Sequence, residues 1–363
     1  MIHLVRQQTI GNVRIGIVGA GAHARENLIP AIRETEDMRI VAVSSRCLDS
    51  ARDLAARYDA SYYSDDWMRM LDNEIVDALV VSAPPDVHAQ VASACLERGI
   101  HVFVEKPPAP DLDSLRSLAV TELGARGTVA FVDYNFRYAD PVAKALVAIG
   151  GNNAVQCAKI RFISSKPTEC MWHCTSVLES FLLAVGIHAI DMALHLFGKP
   201  LDIKFGHCQL SAARFVFTVL LEFAGGRTAI LELGNYSNRF EFCCEFISQT
   251  GVVAVINQHN QLSFAGTDWV NQGLSAFKNK QTVEFLWPSL QGGFARTGYR
   301  RALESFSDSI RSGSPSDSSL CASVPCFEVI NALAGKVALG DSSRELVTTD
   351  HSDLNINKGS KRE

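Results

Sequence analysis

The chain is short of several things, and each shortage removes a class of function. Charge of one sign is not in excess: 34 Lys and Arg face 39 Asp and Glu in 363 residues, a net of −5, so no nucleic-acid surface is expected. No uninterrupted apolar run reaches the roughly 18 residues of a membrane span, so no membrane partner is expected either. Met1 to Asn12 has no apolar core of the secretory kind, which makes the cytoplasm the expected compartment. The ten cysteines lack matched ligand pairs. Cys170-Met171-Trp172-His173-Cys174 is the one ligand-like cluster, and without a second pair no metal is expected. Cys157, Cys208, Cys243 and Cys244 fall in strand-like runs, where reduced thiols act as small hydrophobes. There is no internal repeat. Apolar residues are plentiful, 47% against 20% charged, and the length suggests roughly two domains.

The organising stretch is Ile15 to Val18, a short buried strand that breaks at Gly19-x-Gly21-x-x-Ala24 and opens a helix. Gly19 permits the tight turn, Gly21 lets backbone approach a pyrophosphate, and Ala24 lets helix pack on strand. The helix start, with Ala22 and His23, offers free N–H groups to phosphates. Arg39 to Val43 reads as the next strand, followed by Ser44, Ser45 and Arg46, and then a helix capped by Asp49 and running to Tyr58. A carboxylate would grip an adenosine ribose there; two hydroxyls and a guanidinium suit a 2′-phosphate instead, which favours NADP over NAD, with NAD still possible.

Val76 to Ser82 is a further strand, ending at Ala83-Pro84-Pro85 with His88 close behind, and a helix spans about Val87 to Arg98. His101 to Val104 runs straight into Glu105-Lys106-Pro107. A lysine ending a parallel strand points into the crevice where ligands of such sheets lie. Gly127 to Asp133 is the last strand of this unit, before Tyr134-Asn135-Phe136-Arg137-Tyr138 and a helix from Pro141 to Ile149. Strands alternating with helices give a doubly wound α/β unit. Beyond it, Ala158–Ser164, Phe215–Phe223, Arg227–Leu233, Phe240–Ser248 and Val252–Ile256 follow with short turns, Ala224 to Arg227 forming a hairpin. Consecutive strands of that kind make an antiparallel sheet and a second, α+β domain. Helices at Tyr299–Arg311 and about Ser323–Leu339 close the chain, before a polar tail at 351–363 expected to be disordered. The expected division is an extension at 1–12, a nucleotide domain at 13–138 and a substrate and oligomerisation domain at 139–350.

Between the first strand of that second domain and its meander lies an apolar, helix-permissive segment, Val177 to Phe197. His188, Asp191 and His195 stand at i, i+3 and i+7 on one of its faces. Three polar groups on an apolar helix are expensive to bury unless partnered. A satisfied polar cluster, a metal site and a proton-transfer site, with Asp191 orienting His195 and a lysine completing it, are the three readings the residues leave open.

Together these motifs resemble the glucose–fructose oxidoreductase/inositol dehydrogenase/MocA (Gfo/Idh/MocA) family from about Arg14 to Leu339. The likeness rests on Gly19-Ala20-Gly21, Pro84-Pro85-x-x-His88, Glu105-Lys106-Pro107, Tyr134-Asn135-Phe136-Arg137 and Gly186-x-His188-x-x-Asp191-x-x-x-His195. It implies an N-terminal Rossmann domain and a C-terminal domain whose open sheet commonly joins subunits into a homodimer or homotetramer. It implies cofactor contacts at Gly19, Gly21, Ala22, His23, Ala24, Ser44, Ser45, Arg46, Ala83, Pro84, His88, Glu105 and Lys106. Catalytic roles fall on Lys106, Asp191 and His195, and substrate contacts on Asn135, Arg137, Trp172, His173 and His188. The implied reaction is hydride transfer between nicotinamide and a carbinol or ketone carbon of a small substrate: a sugar, sugar nucleotide, cyclitol or related polyhydroxylated metabolite. Either Lys106 or His195 would move the proton. A non-catalytic dinucleotide sensor is the alternative. One departure stands out: Leu178 to Ala184 has no glycine, and Ala184 falls where many members carry an aspartate.

Overall fold

Six short runs, all but the third mainly apolar, are separated from one another by helix and assemble side by side. The computed structural model describes residues 12–72, 75–265, 283–288 and 293–338. The runs are β1 (Val13–Val18), β2 (Met38–Ser44), β3 (Tyr62–Ser64), β4 (Ala78–Val81), β5 (His101–Glu105) and β6 (Ala130–Asp133). Between them come α1 (Ile29–Glu34), α2 (Leu48–Arg57), α3 (Met68–Asp72), α4 (Pro85–Glu97) and α5 (Leu112–Gly124). The sheet is parallel throughout, in the order β3-β2-β1-β4-β5-β6. With both faces covered, β4 and β6 are buried at every position, which is why β4 is an unbroken apolar run and β6 is apolar up to its last residue, Asp133. Strand order reverses between β1 and β4, the point outside which such sheets hold ligands.

After α6 (Asp140–Ile149) the topology changes. The later elements are β7 (Val155–Ile163), α7 (Val177–Phe181), α8 (Ile187–Phe197), β8 (Asp202–Ser211), β9 (Arg214–Glu222), β10 (Thr228–Gly234), β11 (Glu241–Ser248), β12 (Val253–Asn257), β13 (Gln261–Ala265) and β14 (Val283–Leu286). They form an eight-stranded sheet in the order β14-β13-β12-β11-β7-β10-β9-β8, antiparallel except where β7 meets β10. Alternating burial along β11 and β12 marks one face packed on helices and one open face. The open face carries ion pairs, Lys159 with Glu245 and Arg161 with Glu232 and Glu241.

A π-turn at Leu182–Gly186 joins α7 to α8, so Val177–Phe197 is one helical run of 21 residues. Length and composition would let it cross a membrane, but 72% of its most apolar window is buried inside the fold. Phe181 is wholly buried in it and meets Phe215 edge-on at 5.3 Å. An aromatic side chain enclosed in this way contributes about 1.5–3 kcal/mol.

The late helices α9 (Gly293–Arg296), α10 (Tyr299–Ser312) and α11 (Leu320–Ala338) tie the two sheets together. Phe306 of α10 packs against Phe103 and Phe131 of the parallel sheet, so the chain beyond 139 contributes part of the first sheet's core. α11 lies against α5 and α8. The expected extension up to residue 11, the end of the second domain beyond 338, and the tail at 351–363 lie outside the described residues. All ten cysteines are free thiols.

Candidate active site

The loop after β1 is shaped by two glycines. Gly19 sits at φ +100, and a Cβ there would fall 2.0 Å from the Ser82 carbonyl oxygen, so no other residue fits. Its N–H donates to the Ser44 carbonyl at 2.9 Å, fastening the loop to β2. Gly21 is exposed, and a Cβ there would meet nothing within 4 Å, leaving the open side a pyrophosphate needs. Helix begins at Ala22, and Ala24 is fully buried against the sheet. At the end of β2, Ser44 is buried and Ser45 N–H donates to the Ser64 carbonyl at 3.1 Å. Arg46 is exposed and has no partner among the described residues.

A second cluster gathers where β5 and β6 end. The His23 ring nitrogen Nε2 lies 2.5 Å from Glu105 Oε1, linking the nucleotide loop to the strand that carries Lys106. Burial alone would raise the Glu105 pKa, but the His23 bond and the charges of His23 and Lys106 hold it below its ordinary value. Glu105 stands beside Asp133 in the parallel register. Asp133 is fully buried, and no donor among the described residues reaches either oxygen. Burial, followed by the charge of Glu105, pushes its pKa well up. Lys106 Nζ donates to the Ala184 carbonyl, in the π-turn, at 3.0 Å. Burial lowers the Lys106 pKa, with the charge of Glu105 opposing.

Four of the expected roles change here. Asp191 does not orient His195: Arg137 takes both its oxygens, Nε reaching Oδ2 at 3.0 Å and the NH2 group reaching Oδ1. Arg137 is therefore a buried clamp between the turn after β6 and α8, and its other nitrogen donates to the Asp317 carbonyl at 3.1 Å, which takes it away from substrate. His195 instead lies beside the Asn152 amide at 3.4 Å, and burial, with Arg137 adding to it, pushes its pKa down to about 4. His88 is buried, accepting from the Ala83 N–H at 3.0 Å, with its Nδ1 2.9 Å from the Pro107 carbonyl. It fixes two loops of the crevice and has no nitrogen left for a cofactor.

The imidazole that shares surroundings with Lys106 is His188, one turn beyond Ala184. It is buried, stacked on Phe136 at 4.2 Å, and its Nδ1 has no partner among the described residues. Burial and then the Lys106 charge hold its pKa well below the usual imidazole range. Asn135 donates to the Thr297 carbonyl at 3.0 Å, while no described residue pairs with its Oδ1. Trp172 and His173 form a left-handed turn, φ 50 and 66, and among the described residues no hydrogen bond or ring contact joins either to Lys106 or His188. Sequence reasoning assigns no role to Asp133, His259 or Arg296: Asp133 reads only as the end of its strand, and His259, in a turn, and Arg296, at the end of α9, have no motif around them.

A parallel sheet with a glycine turn at its switch point and a lysine ending β5, near a buried imidazole of α8, defines the class of dinucleotide-binding folds. The model for "Oxidoreductase family, NAD-binding Rossmann fold" matches residues 13–134. The chain is 26% identical to a dTDP-3,4-didehydro-2,6-dideoxy-alpha-D-glucose 3-reductase of Saccharopolyspora spinosa, over 92% of this chain and 98% of that one. It is 25% identical to an oxidoreductase of Formosa agariphila over 53% of this chain, spanning 63% of that relative. The crystal structure of a dehydrogenase from Chromobacterium violaceum superimposes with a TM-score of 0.83 at 26% identity, covering 91% of this chain and 97% of the other. Residues 13–134 thus resemble the Gfo/Idh/MocA family, and the likeness to the Saccharopolyspora spinosa reductase and the Chromobacterium violaceum dehydrogenase extends over 92% and 91% of the chain.

Proposed function

We propose that the protein is an NADP(H)-preferring oxidoreductase acting on a CH–OH group of a polyhydroxylated substrate, with Lys106 and His188 at the reacting oxygen. The observation that carries this reading is Lys106, held by the Ala184 carbonyl at 3.0 Å in the same enclosure as His188, whose Nδ1 no described residue engages. When bound, the dinucleotide supplies or accepts the hydride. Gly19 and Gly21 would hold its pyrophosphate, and the exposed Arg46 with Ser45 would receive a 2′-phosphate.

Lys106 gives its proton to the carbonyl oxygen in reduction and recovers it in oxidation. Its lowered pKa brings that exchange closer to neutral pH than an exposed lysine allows. His188, neutral at that pH, hydrogen-bonds the same oxygen and fixes which carbon is presented. The relative that acts on a dTDP-sugar supports a sugar or sugar-nucleotide substrate.

Steady-state rates with both cofactors test the assignment. Lys106→Met should lower turnover by about 10²–10⁴, His188→Phe should lower it as well, and His195→Ala should leave it within a few-fold. Arg46→Asp should shift the cofactor ratio toward NAD by roughly ten- to hundredfold. A wild-type rate in Lys106→Met, or a loss in His195→Ala equal to it, would overturn these roles.

A further inference from the structure

Phe136 separates two imidazoles. His188 stacks on it at 4.2 Å, and His259 meets it edge-on at 4.3 Å while stacking on Phe242 at 4.1 Å. His259 lies in the turn between β12 and β13 at φ 55 and is 2% exposed. Neither of its ring nitrogens has a partner among the described residues. A buried polar ring left wholly unpaired is rare in a folded protein and needs a physical reason. The end of α9 is pinned to the turn after β6 that carries Phe136, because Asn135 donates to the Thr297 carbonyl. The residue before Thr297 is Arg296, whose Nε is also buried and unpaired and which makes no ion pair among the described residues. Its charge acts on His259, and with burial, the larger cause, pushes that pKa down to about 3.

The signs of the surrounding groups do not balance. Asp191 is taken by Arg137 and Glu105 by His23, while burial and the Glu105 charge push the Asp133 pKa well up. His188 and His259 flank the Phe136 ring; the Lys106 charge acts on the first and the Arg296 charge on the second, and among the described residues neither cation makes an ion pair. We propose that Arg296 and His259 form the subsite for an anionic substituent of the substrate, a carboxylate or a phosphate, whose carbinol carbon lies at Lys106 and His188. A guanidinium offers two parallel donors to such a group, and the imidazole supplies a third. The geometry makes the two residues specificity determinants that touch no reacting atom. The inference rests on the oxidoreductase reading, and it deepens that reading by naming the charge class of the substrate.

Calorimetric titration of the NADPH-bound protein with glucuronate, glucose 6-phosphate and glucose tests it. At least one of the two anions should bind ten- to hundredfold more tightly than glucose, and the tighter one identifies the anion as carboxylate or phosphate. Arg296→Leu and His259→Phe should each remove most of that difference while leaving NADPH affinity unchanged. Equal affinity for all three sugars, or no binding of any, overturns the subsite. So does an Arg296→Leu protein that loses NADPH instead, since the guanidinium would then serve the cofactor. Selective anion binding without turnover of any bound sugar would leave the subsite standing and sink the oxidoreductase reading.

Discussion

Asp191→Asn separates a structural clamp from a catalytic carboxylate. The Arg137 and Asp191 side chains are 6% and 5% exposed, and they join the turn after β6 to α8 across the two sheets. The substitution keeps the shape of the side chain and removes its charge, leaving a buried guanidinium uncompensated. Two unit charges about 3 Å apart at an effective dielectric near 20 attract by about 5 kcal/mol. Measured losses on breaking buried pairs are about 3–5 kcal/mol, of the same size. At roughly 2–4 °C per kcal/mol for a domain of this size, the unfolding midpoint should fall by about 6–20 °C. Thermal unfolding followed by near-UV circular dichroism reads the loss, and turnover measured well below the midpoint should stay within a few-fold. The double variant Arg137→Met/Asp191→Leu should recover most of the stability, because an apolar pair of similar volume leaves no charge buried. An unchanged midpoint with a hundredfold loss of turnover would refute the clamp and return Asp191 to the reaction.

Gly19→Ala should destabilise the protein by more than about 1 kcal/mol and abolish dinucleotide binding, since its Cβ collides with backbone at Ser82 and φ is +100; cofactor fluorescence and denaturant melts check both. In the folded chain, His195 and His259 titrate near 4 and 3, below the ordinary 6.5. The unfolded chain therefore binds protons that the folded one refuses, and stability present above pH 6.5 is lost as pH falls toward 4, by about 1.4 kcal/mol per pH unit for each group. His195→Asn should flatten that slope by one proton, and a slope unchanged in the variant would rule out its contribution. Ala184→Asp would set a carboxylate about 4–6 Å from Lys106 and raise its pKa by roughly 1–3 units. The limb of the pH profile for alcohol oxidation that needs neutral lysine should move to higher pH by that amount, and a stationary limb would show that another group moves the proton.

Much of the first sheet was legible because both of its faces are covered. Each of β1, β2, β4, β5 and β6 announces itself as a mainly apolar run, broken by glycine after β1, prolines after β4 and the Glu105-Lys106 pair at the end of β5, and by polar residues after β2 and at the end of β6. β3, three residues with an exposed Tyr63 at its centre, carries too little apolar surface to register. In the second sheet β7, β9, β10, β11 and β12 were visible, whereas β13, five residues with only two of them buried, was not, and β8 is largely exposed and offers no contrast. The lysine at the end of β5 was legible for the same reason as its strand. The helix opposite was harder to read. Three polar groups on one stripe were seen, but spacing alone does not say which of them lies toward the lysine. The π-turn before α8 adds a residue to one turn and rotates everything after it. His188 then lies against Phe136, while Asp191 and His195 fall to Arg137 and Asn152, one and two turns farther along the helix.

The π-turn also bears on what Lys106 can do. A carbonyl accepts one hydrogen bond from an ammonium and fixes its position, but it supplies no full negative charge to hold the proton. A carboxylate at residue 184 would do both, and it would raise the lysine's pKa as it anchored it. With Ala184 there, geometry and charge are handled by different groups. The carbonyl sets where Nζ sits, while burial lowers the lysine's pKa and Glu105, itself engaged by His23 and beside Asp133, opposes that lowering. His23 belongs to the helix that follows the nucleotide loop. The proton affinity of the lysine is thereby tied, through a single 2.5 Å contact, to the segment on which the dinucleotide phosphates would rest.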